Sequence, residues 1–105
     1  MIRYLFVARL SIHLQDGFED DLVVITVGGE QVYRGEHVTT KLLLGYAEVI
    51  ETQLPSGSSG VRIALPARSL SRDIGLPTSG DAHLVVSIEG GEIACHIADR
   101  PVGYL

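Results

Sequence analysis

One cysteine, one lysine, no tryptophan and no asparagine occur among the 105 residues of the chain, and each shortage removes a class of protein. A single thiol, Cys95, can form neither an intrachain disulfide nor the paired-cysteine spacing of a zinc or redox site. It suits a reducing compartment, and a cytoplasmic location is the expectation. Without asparagine there is no acceptor for N-glycosylation. Without tryptophan, sugar binding by ring stacking would fall to Tyr33, Tyr46 and Tyr104. Basic residues number 8 against 13 acidic ones, a net charge of −5, and they are scattered singly from Arg3 to Arg100. Nucleic acid and anionic membranes would be repelled, so neither is expected as a partner. No run approaches the roughly 18 apolar residues that a membrane helix needs. The opening MIRYLFVARLSIHL has the arginine-then-apolar start of a signal peptide, but Arg9 breaks the run early and no small-residue cleavage site follows. It reads as a strand.

What the chain does have is alternation. Apolar residues make up 46% of it, too many for disorder. The clearest stretch is 84–97, LVVSIEGGEIACHI, where two β-branched runs flank Gly90-Gly91, a pair able to take positive φ at both positions of a two-residue turn. Pairing outward sets Glu89 opposite Glu92, Ile88 opposite Ile93, Val86 opposite Cys95 and Leu84 opposite Ile97. Because side chains alternate, Leu84, Val86, Ile88, Ile93, Cys95 and Ile97 share one apolar face. Such a hairpin needs a second apolar surface to cover it.

Residues 4–14 supply more of the same, with Tyr4, Phe6, Ala8, Leu10, Ile12 and Leu14 on one side and Leu5, Val7, Arg9, Ser11 and His13 on the other. The DLVVITV run at 21–27 places Val23, Ile25 and Val27 on one face. A glycine turn then leads to QVYRG, with either Gly28-Gly29 or Gly29-Glu30 as the central pair; a shift of one moves Tyr33 to the other face. Lys41 to Leu44 allows a turn of helix, which Gly45 discourages from extending. Residues 47–54 lie between a glycine and a proline and read as a strand, although their alternation separates no clean face. The PSGSSG stretch at 55–60 reads as a hairpin loop, 61–65 as a strand with Val61, Ile63 and Leu65 inward, and 69–76 as another short strand.

Seven or eight short strands, punctuated by turns and without a convincing helix, predict an all-β fold: one domain over 1–105, an antiparallel β-sandwich, with a small β-barrel as the alternative. Immunoglobulin-like and fibronectin-like sandwiches share this strand count. The likeness is one of architecture, without the paired cysteines and core tryptophan of antibody domains, and it implies no function.

Candidate chemistry is sparse. Cys95 and His96 are adjacent and so point to opposite faces of a strand, which rules out a thiol–imidazole dyad and leaves Cys95 as a core residue. His13, His37, His83 and His96 show no HxH, HxxxH or HExxH spacing. They read as scattered surface histidines, with nothing to bring His13 near the others. Asp16, Glu19, Asp20 and Asp21 crowd the loop at 16–21, and a Ca²⁺ ion would need further oxygens there from Glu36 or Asp81. No nucleophile elbow and no phosphate loop is present. No catalytic, cofactor-binding or metal-ligating residue is nominated. Leu5, Val7, Leu22, Val24 and Val85 remain after one inner face is filled, an apolar surplus that implies a contact surface. The expected function is therefore that of a small non-enzymatic module working through protein–protein contacts, self-associating. The alternative is a Ca²⁺- or small-ligand-binding sandwich using the 16–21 loop.

Overall fold

A computed structural model describes residues 8–54, 60–76 and 81–98. Eight strands follow one another: β1 (Ala8–Leu14), β2 (Asp21–Val27), β3 (Glu30–Val38), β4 (Glu48–Leu54), β5 (Gly60–Leu65), β6 (Leu70–Gly75), β7 (Ala82–Glu89) and β8 (Glu92–Ala98). A 3₁₀ turn, Pro66–Arg68, joins β5 to β6. The strands form two four-stranded sheets, ordered β4-β1-β7-β8 and β3-β2-β5-β6. This is the expected sandwich, and it is not a closed barrel. Its strand order differs from that of immunoglobulin constant domains, where the first, second, fifth and fourth strands share a sheet.

Alternation builds the core. Leu10, Ile12 and Leu14 of β1, Val23 and Ile25 of β2, Ile63 and Leu65 of β5, and Leu84 and Val86 of β7 are fully buried between the sheets. Burying one such side chain contributes about 1.5–3 kcal/mol, so this layer dominates stability. Cys95 packs against it from the edge, as its place on the apolar face requires.

Turn chemistry fixes the hairpins. Gly90 and Gly91 have φ of 59° and 78°, and Glu89 faces Glu92 with every expected pair in place. The ambiguous glycine turn resolves to Gly28-Gly29, at φ 58° and 84°, with Val27 opposite Glu30. From there β3 runs longer than QVYRG and carries two register shifts against β2. One shift lies at His37, a non-glycine residue at φ 58°. Tyr33 lays its ring over Gly35, filling the side-chain space that the glycine leaves on this edge.

Two expectations need correction. The sandwich is not wholly antiparallel, because β1 and β7 pair in parallel, with Ile12 opposite Leu84. Hairpin turns dictate antiparallel pairing only between neighbours in sequence; β1 and β7 are brought together by the wrapping of the whole chain. Among the described residues the apolar surplus is also not an open patch. Val85 is buried, and Leu22 and Val24 are half-buried, Val24 lying between Arg34 and Ala64 in its sheet. Tyr4, Leu5, Phe6 and Val7, the 55–59 loop, the turn at 77–80 and the tail at 99–105 lie outside the described residues.

Candidate functional site

Two carboxylates of the acidic loop, those of Asp20 and Asp21, are paired by their surroundings. Asp21 opens β2 with its carboxylate buried, and Arg68 grips it from the 3₁₀ turn: Nε and Nη2 donate to its two oxygens, each at 2.7 Å. The Glu19 amide donates to the same carboxylate at 2.8 Å, and Arg68 also reaches the Gly17 carbonyl at 3.3 Å. Asp20 meets His37 Nδ1 at 2.6 Å on the exposed side, and this bond holds the His37 pKa above its ordinary value. Glu36 pairs with Arg34, while Asp81 accepts the Arg9 amide. The Asp20, Asp21, Glu36 and Asp81 carboxylates are thus engaged by arginine, histidine and backbone donors rather than turned toward a shared ion. Among the described residues no group of three or more acidic, histidine or cysteine side chains has a metal-holding arrangement.

The histidines are not all scattered. Parallel pairing of β1 with β7 sets Ser11 beside His83, and antiparallel pairing with β4 sets Glu51 on the other flank of Ser11. His13, two residues on, therefore projects from the same outer face, and its Nε2 lies 2.7 Å from Ser11 Oγ. His13 is buried, and burial first, then the nearby His83, lower its pKa, while Glu51 pulls the other way. These groups border an open groove of about 500 Å³ rimmed by Arg9, Gln53 and Asp81. The Nδ1 of His83 is buried with no hydrogen-bond partner among the described residues. The sequence carried no signal for this cluster, because it depends on the one parallel pairing.

A serine beside an imidazole is half of a nucleophilic site. Acyl transfer also needs donors aimed at the developing oxyanion, usually the largest single contribution. Here Ser11 sits mid-strand between β4 and β7, both flanks of its backbone facing paired strands. Its neighbouring amides belong to the ladders, so the pair is better suited to holding the sheet's outer face together than to attacking a carbonyl.

A different element stands out on the surface. The chain between β3 and β4 closes a tight turn at 41–46: Lys41 and Tyr46 bridge, the Lys41 amide donates to the Tyr46 carbonyl at 3.1 Å, and the Leu44 and Gly45 amides both donate to the Lys41 carbonyl at 3.0 and 2.9 Å. Gly45 takes φ 80° to complete it. The single helical turn allowed by Lys41-Leu42-Leu43-Leu44 is this structure, and Gly45 is where it ends. Its tip presents Leu42 at 91% and Leu43 at 97% exposure, with Leu44 at 45%. Three consecutive leucines outside either periodicity were the signal in sequence.

Cys95 offers no reactive centre. Burial raises its thiol pKa, and His96 lies exposed on the opposite face. The chain matches no protein-family model, no curated protein and no solved structure.

Proposed function

We propose that this protein is a non-enzymatic β-sandwich module that works through protein–protein contacts, self-associates, and presents the leucine turn at 42–44 as a contact element. The observation carrying this reading is the exposure of Leu42 and Leu43, at 91% and 97%, on a turn held by backbone hydrogen bonds. Isolated exposed leucines are ordinary; three in a row on a preformed turn are not. Preorganisation matters because little further backbone entropy is lost when a partner closes over the tip. Full burial of Leu42 and Leu43 would contribute about 3–6 kcal/mol before the cost of association, enough to anchor a contact and too little to make one alone.

Site-specific photocrosslinking tests the assignment. A photoreactive side chain at Leu43 is expected to give discrete protein adducts in cells, whereas the same probe at Thr26, on the outer face of β2, gives none. Equal labelling from both positions, or adducts unaffected by a Leu42→Ser change beside the probe, would remove the leucine turn from the contact.

A further inference from the structure

A sandwich of open sheets leaves four strand edges, each a template for pairing unless something blunts it. Three are guarded in this chain. β3 carries two register shifts together with Arg34, Glu36 and His37. β4 carries Glu48 and Glu51, and β6 carries Arg72 and Asp73. Among the described residues the fourth edge, β8, is the least guarded: Glu92 opens it and the Arg72 side chain reaches its Ile93 carbonyl, but residues 93–98, IACHIA, contain no Asp, Glu, Lys, Arg, Pro or Gly.

The direction of its free backbone groups is known. Arg72 Nη1 donates to the Ile93 carbonyl at 2.9 Å, so the Ile93 main chain faces away from β7. By two-residue alternation, Cys95 and Ile97 face the same way. Their side chains belong to the inner, apolar face, where Ile97 is left 40% exposed at the rim.

We propose that β8 pairs with β8 of a second copy of this chain, antiparallel about a twofold axis at Cys95, extending the β4-β1-β7-β8 sheet into one continuous eight-stranded sheet. This rests on the self-associating part of the reading above and is independent of the leucine turn. The register follows from the strand itself. Cys95 is the central residue of Glu92–Ala98, so a twofold there pairs the whole strand: Cys95 with its own copy, Ile97 with the partner's Ile93, and Glu92 with the partner's Ala98. Cys95 and Ile97 then satisfy both their outward amides and carbonyls. The exposed Ile97 is covered by an isoleucine, and no two like charges are opposed. Ile93 keeps its bond to Arg72, since a carbonyl oxygen has a second lone pair for the new amide. An isologous contact of this kind closes at two copies, which keeps the paired edge from growing into a fibre.

Light scattering coupled to size exclusion, across a concentration series of the full chain, reads the outcome. The wild type is expected to reach twice the 11.3 kDa of one chain and to fall back on dilution. Ile97→Lys, which sets a charge at the rim against the partner, is expected to stay at the single-chain mass with an unchanged β-sheet circular dichroism spectrum. Leu42→Ser/Leu43→Ser is expected to dimerise as the wild type does. Hydrogen exchange of the wild type supplies a reading free of mutation: the Cys95 and Ile97 amides are expected to slow by tenfold or more in the dimer. A wild type that stays monomeric at every concentration overturns both the pairing and self-association. A dimer that survives Ile97→Lys with the Cys95 amide still exchanging freely, or that is lost in the leucine variant, overturns β8 pairing alone.

Discussion

Gly17 is the position where a single methyl group should do the most damage for its size. It lies in the loop between β1 and β2 at φ 85°, backbone that L side chains rarely adopt. A Cβ built there would overlap the carbonyl oxygen of Ile88, and would lie 2.9 Å from the Ile88 Cβ and 3.0 Å from its carbonyl carbon. The obstacle cannot swing aside, because the Ile88 amide is bonded to the Asp16 carbonyl at 2.8 Å within a paired strand. Gly29 is the control: φ is 84°, and nothing lies within 4 Å of its Cβ position. Alanine at Gly29 bears only the left-handed penalty of about 1–2 kcal/mol, offset by about 0.4–1 kcal/mol from a stiffer unfolded chain. Alanine at Gly17 adds steric overlap with backbone, about 1–3 kcal/mol more. The expected losses are about 1 kcal/mol for Gly29→Ala and about 3 kcal/mol for Gly17→Ala. Urea unfolding monitored by circular dichroism measures both, and the thermal midpoints should separate by roughly 8–16 °C for a domain of this size. Equal losses at the two glycines would refute the packing of the loop on Ile88.

Arg68→Ala strands the buried Asp21 carboxylate and should cost about 2–4 kcal/mol; the Asp21→Asn/Arg68→Leu pair should recover part of that in a double-mutant cycle, and strict additivity would mean the bidentate contact does not form. His13 has a folded-state pKa below its ordinary 6.5, so between the two values the unfolded chain holds the extra proton. That stabilisation is complete above about pH 6.5 and is lost as pH falls through the window below it. His37, raised by Asp20, works with the opposite sign: its contribution is present below about pH 6.5 and lost as pH rises through the folded value. Unfolding midpoints should rise from pH 5 to about pH 6.5, a rise that His13→Gln flattens, and an unaltered profile in that variant would count against the burial of this imidazole. Calcium at about 5 mM should leave the melting temperature unchanged, and a reproducible rise would return the 16–21 loop to consideration.

How much of this was legible in the sequence depended on the range of the interaction. Gly90-Gly91 and the alternating residues around it named their partners, since a two-residue turn fixes both direction and register. The inward row Val23, Ile25 and Val27 was equally plain. The 28–30 turn stayed double until the fold chose Gly28-Gly29, because each option left β2 intact and moved only the less regular β3. The grouping of Ser11, His13, Glu51 and His83 could not be read at all. Nothing local marks two strands some seventy residues apart as neighbours, still less as parallel ones. Arg68 and Asp21, likewise 47 positions apart, looked like an ordinary surface arginine and one more acid in an acidic loop. The turn at 41–45 was legible, since Gly45 marked where it would stop, but the exposure of the three leucines was not, because it depends on how the sheets leave the turn standing clear of the core.

The parallel contact between β1 and β7 has a consequence for how the protein comes into being. Residues 10–14 pair with 82–86, so during synthesis the first strand emerges well before its later neighbour exists. β4 can pair with one flank of β1 once residue 54 has cleared the ribosome, but the other flank stays open until most of the chain has been delivered. Chains whose contacts are this distant close slowly, on the order of milliseconds to seconds. Through that interval a row of bare main-chain groups beside Leu10, Ile12 and Leu14 is available to any passing strand. A nascent chain halted near residue 75 should therefore be sticky where the finished one is not, and crowding of such intermediates, rather than melting of the mature fold, would set the yield in a cell.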